Sequence, residues 1–259
     1  MERIITAINP YRLDAGFLDN SFSCDIRRLQ AGRKVRVVLM SNVRIIHGDC
    51  MAAMASMKDK EFELAIVDPP YGINWQGCFE SGEVRRANGT IGRTSRKAFV
   101  KKQWDSVAPK QEYFDQLFRC SINQVIWGGN YFSLNPTRGV ICWDKLQPFE
   151  TFSAWEMAWT SFSYPAKIFR YDNKGFMNKD GRSIHPAQKP VALYKWLLTN
   201  YAKPGDKILD THGGSCSSAI ACDVMGFDAT IYEIDADYYK AAVERFERHR
   251  QQTVLEFSA

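Results

Sequence analysis

The sequence lacks the features that mark metal-bound, membrane-bound and secreted proteins. Its seven cysteines are scattered and include no C-x-x-C pair, so we expect no structural zinc site and no metal. No apolar run approaches the length of a membrane span, and no signal peptide is evident. We therefore expect a cytoplasmic protein with reduced thiols and no membrane association.

The composition is otherwise ordinary for a globular protein. The chain has 259 residues, of which 45% are hydrophobic and 24% charged, enough for one large α/β domain or two small ones. The formal net charge of +5 weakly favours an anionic binding partner.

The chain is organised around the stretch Asp68-Pro69-Pro70-Tyr71, which follows a short apolar run at 63–67. Such a run is typical of a buried strand, and two prolines cannot continue a hydrogen-bonded ladder, so the strand must end there. A carboxylate, two proline carbonyls and an aromatic ring are thus delivered to the C-terminal edge of a predicted sheet, where open α/β proteins bind ligands.

These groups suit an exocyclic base amine, which is a poor nucleophile because its lone pair is delocalised into the ring. The Asp68 carboxylate and the Pro69 carbonyl can accept the two amine hydrogens and free the lone pair as the transition state forms. Tyr71 offers a flat face to a base taken out of a duplex. The plainer interpretation is a strand-ending turn with a packed tyrosine.

A second candidate site lies nearer the C-terminus. A strand at 207–210 leads into a loop of small residues at 211–218, a helix, and a strand at 228–232 that ends in Glu233. This order is typical of the nucleotide-cofactor half of a doubly wound sheet, and Glu233 is spaced to bond ribose hydroxyls. A dinucleotide is the rival ligand, but its pattern would require glycine where Cys216 stands.

Four motifs in order resemble the beta class of DNA amino-methyltransferases, the permuted kind in which the catalytic tetrapeptide precedes the cofactor loop. They are His47-Gly48-Asp49, the tetrapeptide 68–71, the run 185–190 and the loop 210–218. The resemblance covers Val43 to the C-terminal helix. It implies an α/β, Rossmann-like class I methyltransferase fold with circularly permuted motif order: a mostly parallel, seven-stranded twisted sheet with helices on both faces.

The resemblance also implies site roles. S-adenosylmethionine would lie across the sheet edge, with Glu233 on its ribose, Asp49 near its adenine, and Lys189 as the charge partner of its methionine carboxylate. The catalytic residues would be Asp68, Pro69, Pro70 and Tyr71. The cofactor-binding residues would be Asp49, His185, Gln188, Lys189, Asp210, Thr211, His212, Gly214, Ser215, Ser217 and Glu233.

Two departures from the family's pattern stand in the chain. In the cofactor loop, His212 replaces an aromatic residue and Cys216 replaces a glycine. We expect Cys216 to crowd the cofactor, while His212 is either a packed core histidine or a cofactor contact. The second departure is that the segment between Lys145 and His185 is short and leaves little room for a separate target-recognition domain.

A basic, glycine-rich loop follows the tetrapeptide. We predict that it lacks regular structure over 72–105 and contacts DNA phosphates; a solvated mobile loop is the plainer alternative. Its predicted nucleic-acid-binding residues are Arg85, Arg86, Arg93, Arg96, Lys97, Lys101 and Lys102.

The predicted organisation is an N-terminal appendage at 1–40 and a single methyltransferase domain at 41–259, with a small recognition insert at about 146–183. The predicted function is transfer of a methyl group from S-adenosylmethionine to the N6 amine of a flipped adenine in double-stranded DNA. The alternatives are cytosine N4, an amine in RNA or an amide in protein, and a catalytically silent nucleic-acid-binding relative. Analogy with similar enzymes suggests a homodimer.

Overall fold

The structure is a computed structural model, which describes residues 41–75, 102–146, 153–172 and 183–252 together with the backbone of 83–85, 91–93 and 253–255. The predicted appendage at 1–40 lies outside the described residues. Most of the predicted basic loop and the middle of the predicted recognition insert also lie outside them.

Ten strands and five helices occur within the described ranges. The strands are β1 (Val43–His47), β2 (Phe62–Val67), β3 (Glu83–Arg85), β4 (Ile91–Arg93), β5 (Ser121–Trp127), β6 (Val140–Asp144), β7 (Trp155–Thr160), β8 (Lys167–Arg170), β9 (Lys207–Asp210) and β10 (Asp228–Glu233). The helices are α1 (Cys50–Ser56), α2 (Gln111–Cys120), α3 (Val191–Tyr201), α4 (Ser217–Met225) and α5 (Ala236–Leu255).

Eight strands form one mixed sheet in the order β1-β10-β9-β2-β5-β7-β6-β8. The first five strands in this order are parallel, whereas β7 is antiparallel to both of its neighbours. The mostly parallel α/β sheet is confirmed, with eight strands where seven were predicted. The additional strand is the short edge strand β8, which pairs with β6.

Strands β2 and β9 are neighbours although 139 residues lie between the end of β2 at Val67 and the start of β9 at Lys207. Leu64 is in register with Ile208 and Ala65 with Leu209, in parallel. From this pair the sheet continues to β5 on one side and β10 on the other. The crevice above the carboxyl ends of β2 and β9 is therefore a topological switch point, where ligands bind in such sheets.

Both faces of the sheet are covered. Leu64 and Ile66 of β2 pack into a cluster that contains residues of α3, α4 and α5. Ala65 and Val67 point to the opposite face, into a cluster with residues of α1 and α2. Burial on both faces explains why β2 is a continuous apolar run rather than an alternating one, and it anchors the turn that follows.

The predicted basic loop contains a structured part. Strands β3 and β4 form an antiparallel pair in which Val84 is opposite Gly92. The prediction of a loop without regular structure over 72–105 is wrong there, because glycine and arginine have weak strand propensity and gave no period-two signal. Within the described part of the chain, no helix has the length and apolar character needed to cross a membrane.

Candidate active site

The turn after β2 is held by a buried carboxylate from outside the tetrapeptide. Asp105, only 2% exposed, accepts hydrogen bonds from the backbone N–H groups of Tyr71 (2.6 Å), Gly72 (3.0 Å) and Trp75 (2.9 Å). Sequence reasoning gave Asp105 no role, because it lies 34 residues from Tyr71 in a stretch without periodicity. The three bonds fix the path of the chain that presents Asp68.

Tyr71 lies in a tight aromatic setting. Its ring stacks on Tyr131, with centroids 4.9 Å apart and an interplanar angle of 14°. Gly128, at φ +69°, lies directly against the ring: a Cβ there would be 2.2 Å from the tyrosine Cε1. A residue with a side chain would thus displace Tyr71. The Tyr71 hydroxyl donates to Asp68 Oδ1 at 2.7 Å.

Asp68 also belongs to a chain of charged groups that are buried or partly buried. Its Oδ2 accepts a hydrogen bond from Lys189 Nζ. The same ammonium lies 3.2 Å from Glu156 Oε2, and Glu156 Oε1 lies 2.5 Å from Lys145 Nζ. The resemblance assigned Lys189 to the cofactor carboxylate, whereas the structure brings it to Asp68.

The protonation states in this chain follow from burial and charge pairing. Burial raises the pKa of Asp68, and the nearby Lys189 counteracts this in part. Burial opposes the charge of Lys189, but Asp68 and Glu156 outweigh it and raise the lysine pKa. Burial also disfavours the charge of Glu156, yet Lys189 and Lys145 lower its pKa to about 2. The ammonium of Lys189 and the Glu156 carboxylate are therefore charged near neutral pH.

A cavity of about 340 Å³ opens beside this turn, above the ends of β1, β9 and β10. It brings together four of the predicted cofactor-binding residues and one predicted catalytic residue with several residues that were not predicted. The predicted ones are Asp49, Thr211, His212 and Glu233, and Pro70 of the tetrapeptide also lines it. The residues missed by sequence reasoning are Gly48, Cys50, Met51, Val107, Pro109, Lys110, Glu112, Tyr113 and Ile234.

The carboxylates of the cavity are oriented by backbone N–H groups. Asp49 caps α1 by accepting from Met51 N at 2.8 Å. Glu233 accepts from Gly214 N at 2.7 Å through Oε2 and from Asp235 N at 2.8 Å through Oε1. Burial raises the pKa of Glu233, and these N–H groups counteract that effect. Glu233 thus joins the loop after β9 to the end of β10.

Other predicted residues of the loop hold its backbone in place through hydrogen bonds. Asp210 Oδ2 accepts from Ser218 Oγ at 2.6 Å, and Arg245 of α5 donates to the Ser215 carbonyl at 2.7 Å and to Ser217 Oγ at 3.0 Å. Asp210, Ser215 and Ser217 are all buried and do not line the cavity. Their contacts shape the loop, and it is Thr211 and His212 that reach the cavity wall.

The comparisons with known proteins agree with this geometry. The family model described as "DNA methylase", of the N6/N4 type, matches residues 126–244. The C-terminal part of the chain is thus similar to the N6/N4 DNA methylase family. The DNA adenine methyltransferase YhdJ of Escherichia coli K12 is 23% identical to it over 250 residues, covering 78% of this chain and 82% of the relative.

Shorter and more distant similarities point the same way. The type II methyltransferase M.HpaI of Haemophilus parainfluenzae is 29% identical over 83 residues, which is 32% of this chain and 26% of the relative. The crystal structure of the M1.HpyAVI–SAM complex has a TM-score of 0.52 at 16% identity, covering 78% of this chain and 98% of that one. The cytosine-N4-specific PvuII DNA methyltransferase has a TM-score of 0.52 at 15% identity, covering 82% and 91%. At these identities the two structures concern the fold.

The donor set of the cavity fits S-adenosylmethionine, the cofactor of this family. Glu233 and Asp49 supply carboxylates for hydroxyl and amine donors, and Met51, Val107 and Tyr113 supply apolar and aromatic walls for a planar base. Gln188, in the segment predicted to hold the methionine carboxylate, has a buried Nε2 without a hydrogen-bond partner. An unpaired buried donor is costly unless a ligand satisfies it.

The structure clarifies both departures in the predicted cofactor loop. Cys216 has φ 51° and ψ 40°, the left-handed region that favours glycine, and its fully buried side chain packs into the core with Ala219 and Cys222. It does not line the cavity, so the expected crowding of the cofactor is not seen. His212 lines the cavity and also packs edge-on against Tyr113 at 5.3 Å.

Both histidines near the site are held neutral. Burial lowers the pKa of His212 to about 4, although Asp49 works against this. Burial, with help from Lys189, lowers the pKa of His185 to about 3. His185 also lies against Gly214, where a Cβ would be 3.5 Å from its Nδ1. The segment 185–190 therefore contacts the cofactor loop with its first residue and Asp68 with Lys189.

Of the seven basic residues predicted to bind nucleic acid, Lys102 is the one whose side chain the structure describes. Its ammonium lies 2.6 Å from Asp235 and 2.8 Å from Asp237, and 4.6 Å from the centre of the Tyr238 ring. Because these two carboxylates neutralise the charge of Lys102 within the protein, we interpret Lys102 as a residue that holds its part of the chain against the start of α5 rather than as a phosphate contact. The side chains of the other six lie outside the described residues.

Proposed function

We propose that this methylase transfers a methyl group from S-adenosylmethionine to the N6 amine of adenine in double-stranded DNA. The observation that carries the proposal is the junction of the two corners of the sheet. Asp68 follows β2, the cavity lies above β9 and β10, and Pro70, two residues after Asp68, forms part of the cavity wall. An amine acceptor and a nucleotide-sized cavity thus share one edge.

The residues of the cavity are assigned roles by their chemistry. Glu233 would accept from the ribose hydroxyls, Asp49 would lie near the adenine, and Thr211 and His212 would flank the methionine part. S-adenosylmethionine, when bound, supplies a methyl group activated by its sulfonium. Neutral His212 fits beside that positive charge because it adds no repulsion.

The tetrapeptide would prepare the target amine. Asp68 and the Pro69 carbonyl accept its two hydrogens, so that its lone pair is available to the methyl carbon. The Tyr71 hydroxyl donates to Asp68 Oδ1 in the structure, and the amine would take over that acceptor. Placement of amine and methyl by one rigid edge provides much of the rate enhancement. The amine loses one proton in the transfer, which would pass to Asp68 and from there to solvent, and the cofactor would leave as S-adenosylhomocysteine when its bond to the methyl group breaks.

Adenine is favoured over cytosine by the aspartate at the first position of the tetrapeptide, which is a tendency of the family, and by the similarity to the adenine methyltransferase YhdJ. Cytosine N4 is the second candidate, supported by the likeness in fold to the cytosine-N4-specific PvuII enzyme. The family model spans both activities.

The test is to incubate unmethylated duplex DNA with the protein and S-adenosylmethionine, digest the DNA, and separate its nucleosides by mass spectrometry. N6-methyl-2′-deoxyadenosine supports the proposal, and N4-methyl-2′-deoxycytidine assigns the second candidate. No methylated nucleoside at all, with DNA binding retained, would favour the silent relative. Heat-treated protein is the control for methylation by contaminants.

DNA contact belongs to the same proposal. The basic residues of 72–105 other than Lys102 would bind phosphates, and 146–183 would contribute to recognition of a short site. The single domain at 41–259, the appendage at 1–40 and the homodimer remain predictions.

A further inference from the structure

Four charged side chains of alternating sign form a chain of contacts that ends at the candidate catalytic carboxylate. In order they are Lys145, Glu156, Lys189 and Asp68, with the distances given above. The Lys189 side chain is 4% exposed, whereas that of Lys145 is 18% exposed. The cluster therefore contains two ammonium groups and two carboxylates, and its formal charge is balanced.

Glu156 is held rigidly in this chain. It lies on β7, which is paired with β5 on one side and β6 on the other, and it is in register with Trp143. Lys145 follows β6, and its backbone N–H donates to the Ala154 carbonyl at 3.0 Å. A carboxylate in the middle of the sheet has little freedom to move, so it fixes where the Lys189 ammonium sits.

The ammonium of Lys189 is shared by two carboxylates. If Glu156 carried no charge, Lys189 would neutralise Asp68 alone and make it a weaker hydrogen-bond acceptor. If Lys189 carried no charge, Asp68 and Glu156 would be left as like charges in a buried site, which is strongly unfavourable. The balance between the two carboxylates thus sets how strongly Asp68 can accept a proton from the target amine.

We propose that Glu156 is a positioning residue for methyl transfer, which acts through Lys189 to hold Asp68 oriented toward the target amine and to keep it a strong hydrogen-bond acceptor. This rests on the proposed function. Glu156 is not among the residues that line the cavity. The other titratable groups that face Asp68 are Tyr71, which donates to it, and the more distant Tyr113, Tyr194 and Asp210.

The test compares Glu156→Gln and Lys189→Met with the unaltered protein. Because Glu156 raises the pKa of Asp68 and Lys189 lowers it, the two variants should move the Asp68 titration in opposite directions. Glu156→Gln should lower its midpoint and Lys189→Met should raise it, each by about one pH unit or more. The pH dependence of kcat should shift on its acid limb in the same directions.

Titration of Asp68 is followed by carboxyl ¹³C NMR of aspartate-labelled protein, with the Asp68 signal assigned from its loss in Asp68→Ala. This measurement needs no enzymatic activity, so it tests the inference even if the unaltered protein transfers no methyl group, an outcome that would refute the proposed function. In the assay, Glu156→Gln should lower kcat about tenfold with little change in KM for cofactor or DNA.

Glu156→Asp, which keeps the charge, should restore the Asp68 midpoint and part of kcat. Glu247→Gln, the same change at an exposed position of α5, should leave both unchanged. Glu156→Gln with an unmoved Asp68 midpoint would overturn the proposal, and so would a shift of both variants in one direction. If Lys189→Met fails to fold, the Glu156→Gln and Glu156→Asp comparison decides.

Discussion

Replacing Asp105 should both destabilise the protein and slow it, although Asp105 is not in the tetrapeptide. Its carboxylate accepts three backbone N–H bonds, from Tyr71, Gly72 and Trp75. Bonds to a charged acceptor contribute about 1.5 kcal/mol or more each. Since all three donor residues are partly exposed, water can replace some of this in Asp105→Ala, and we expect a loss of about 3 kcal/mol in unfolding free energy.

Asp105→Asn should lose only part of the unfolding free energy that Asp105→Ala loses. Its remaining oxygen can still accept from Tyr71 and Gly72, which share Oδ1 in the structure, whereas its amide group would face the N–H of Trp75, which bonds Oδ2. The loss should be about half that of the alanine variant. Urea unfolding measures both values, provided that the slope of free energy against urea is unchanged.

The same variants should lose activity because the turn that carries Asp68 and Pro70 is no longer fixed. We expect kcat to fall about tenfold or more in Asp105→Ala, measured by transfer of labelled methyl groups to DNA at temperatures where the variant is folded. Asp115→Ala, at an exposed position of α2, is the control and should be neutral within about 0.5 kcal/mol. An Asp105→Ala protein with unaltered stability and kcat would refute the reasoning.

Three further predictions concern the base, the DNA and the pH. Tyr71→Phe, which loses the hydrogen bond to Asp68, should keep kcat/KM within about fivefold of the unaltered value. Tyr71→Ala should lower kcat/KM about ten- to a hundredfold because base stacking is lost. Equal kinetics for the two variants would count against stacking. Lys102→Ala should leave the salt dependence of DNA affinity unchanged and lower the unfolding temperature by about 2 °C. Lys97→Ala, by contrast, should reduce the slope of DNA affinity against salt by about one. Fluorescence anisotropy measures the DNA affinity and calorimetry the unfolding temperature. Burial raises the pKa of Asp210 to about 7, so protonation of Asp210 stabilises the fold at acid pH, and this stabilisation is lost as pH rises toward 7. The unfolding free energy of Asp210→Asn relative to the unaltered protein, measured by urea unfolding, should therefore rise across that pH range. A difference that stays constant with pH would be contrary evidence.

The elements that frame the site could be predicted because local signals mark their ends. Two prolines end β2 after Val67, and small residues end β9 after Asp210, so both corners were identified from composition alone. The register of Leu64 with Ile208 places these two corners side by side. The run of strand, loop, helix and strand from 207 to 233 was likewise predicted closely.

The residues that support the site could not be predicted, because their contacts cross long distances in the chain. Asp105 reaches back 34 residues to Tyr71, and Lys189 reaches back 121 residues to Asp68. Neither contact leaves a period or a turn signal in the sequence. Glu156 belongs to no sequence motif, and its place beside Lys189 follows from the position of β7 between β5 and β6.

The most direct test of the central claim, that the Asp68 turn and the cavity form one methyl-transfer site, is a paired measurement on Asp68→Ala. Calorimetric titration with S-adenosylmethionine and a labelled methyl-transfer assay on duplex DNA are run on the same preparation. The account predicts that cofactor affinity stays within a few-fold of the unaltered protein while methyl transfer is lost. Methyl transfer at the unaltered rate by Asp68→Ala would contradict it.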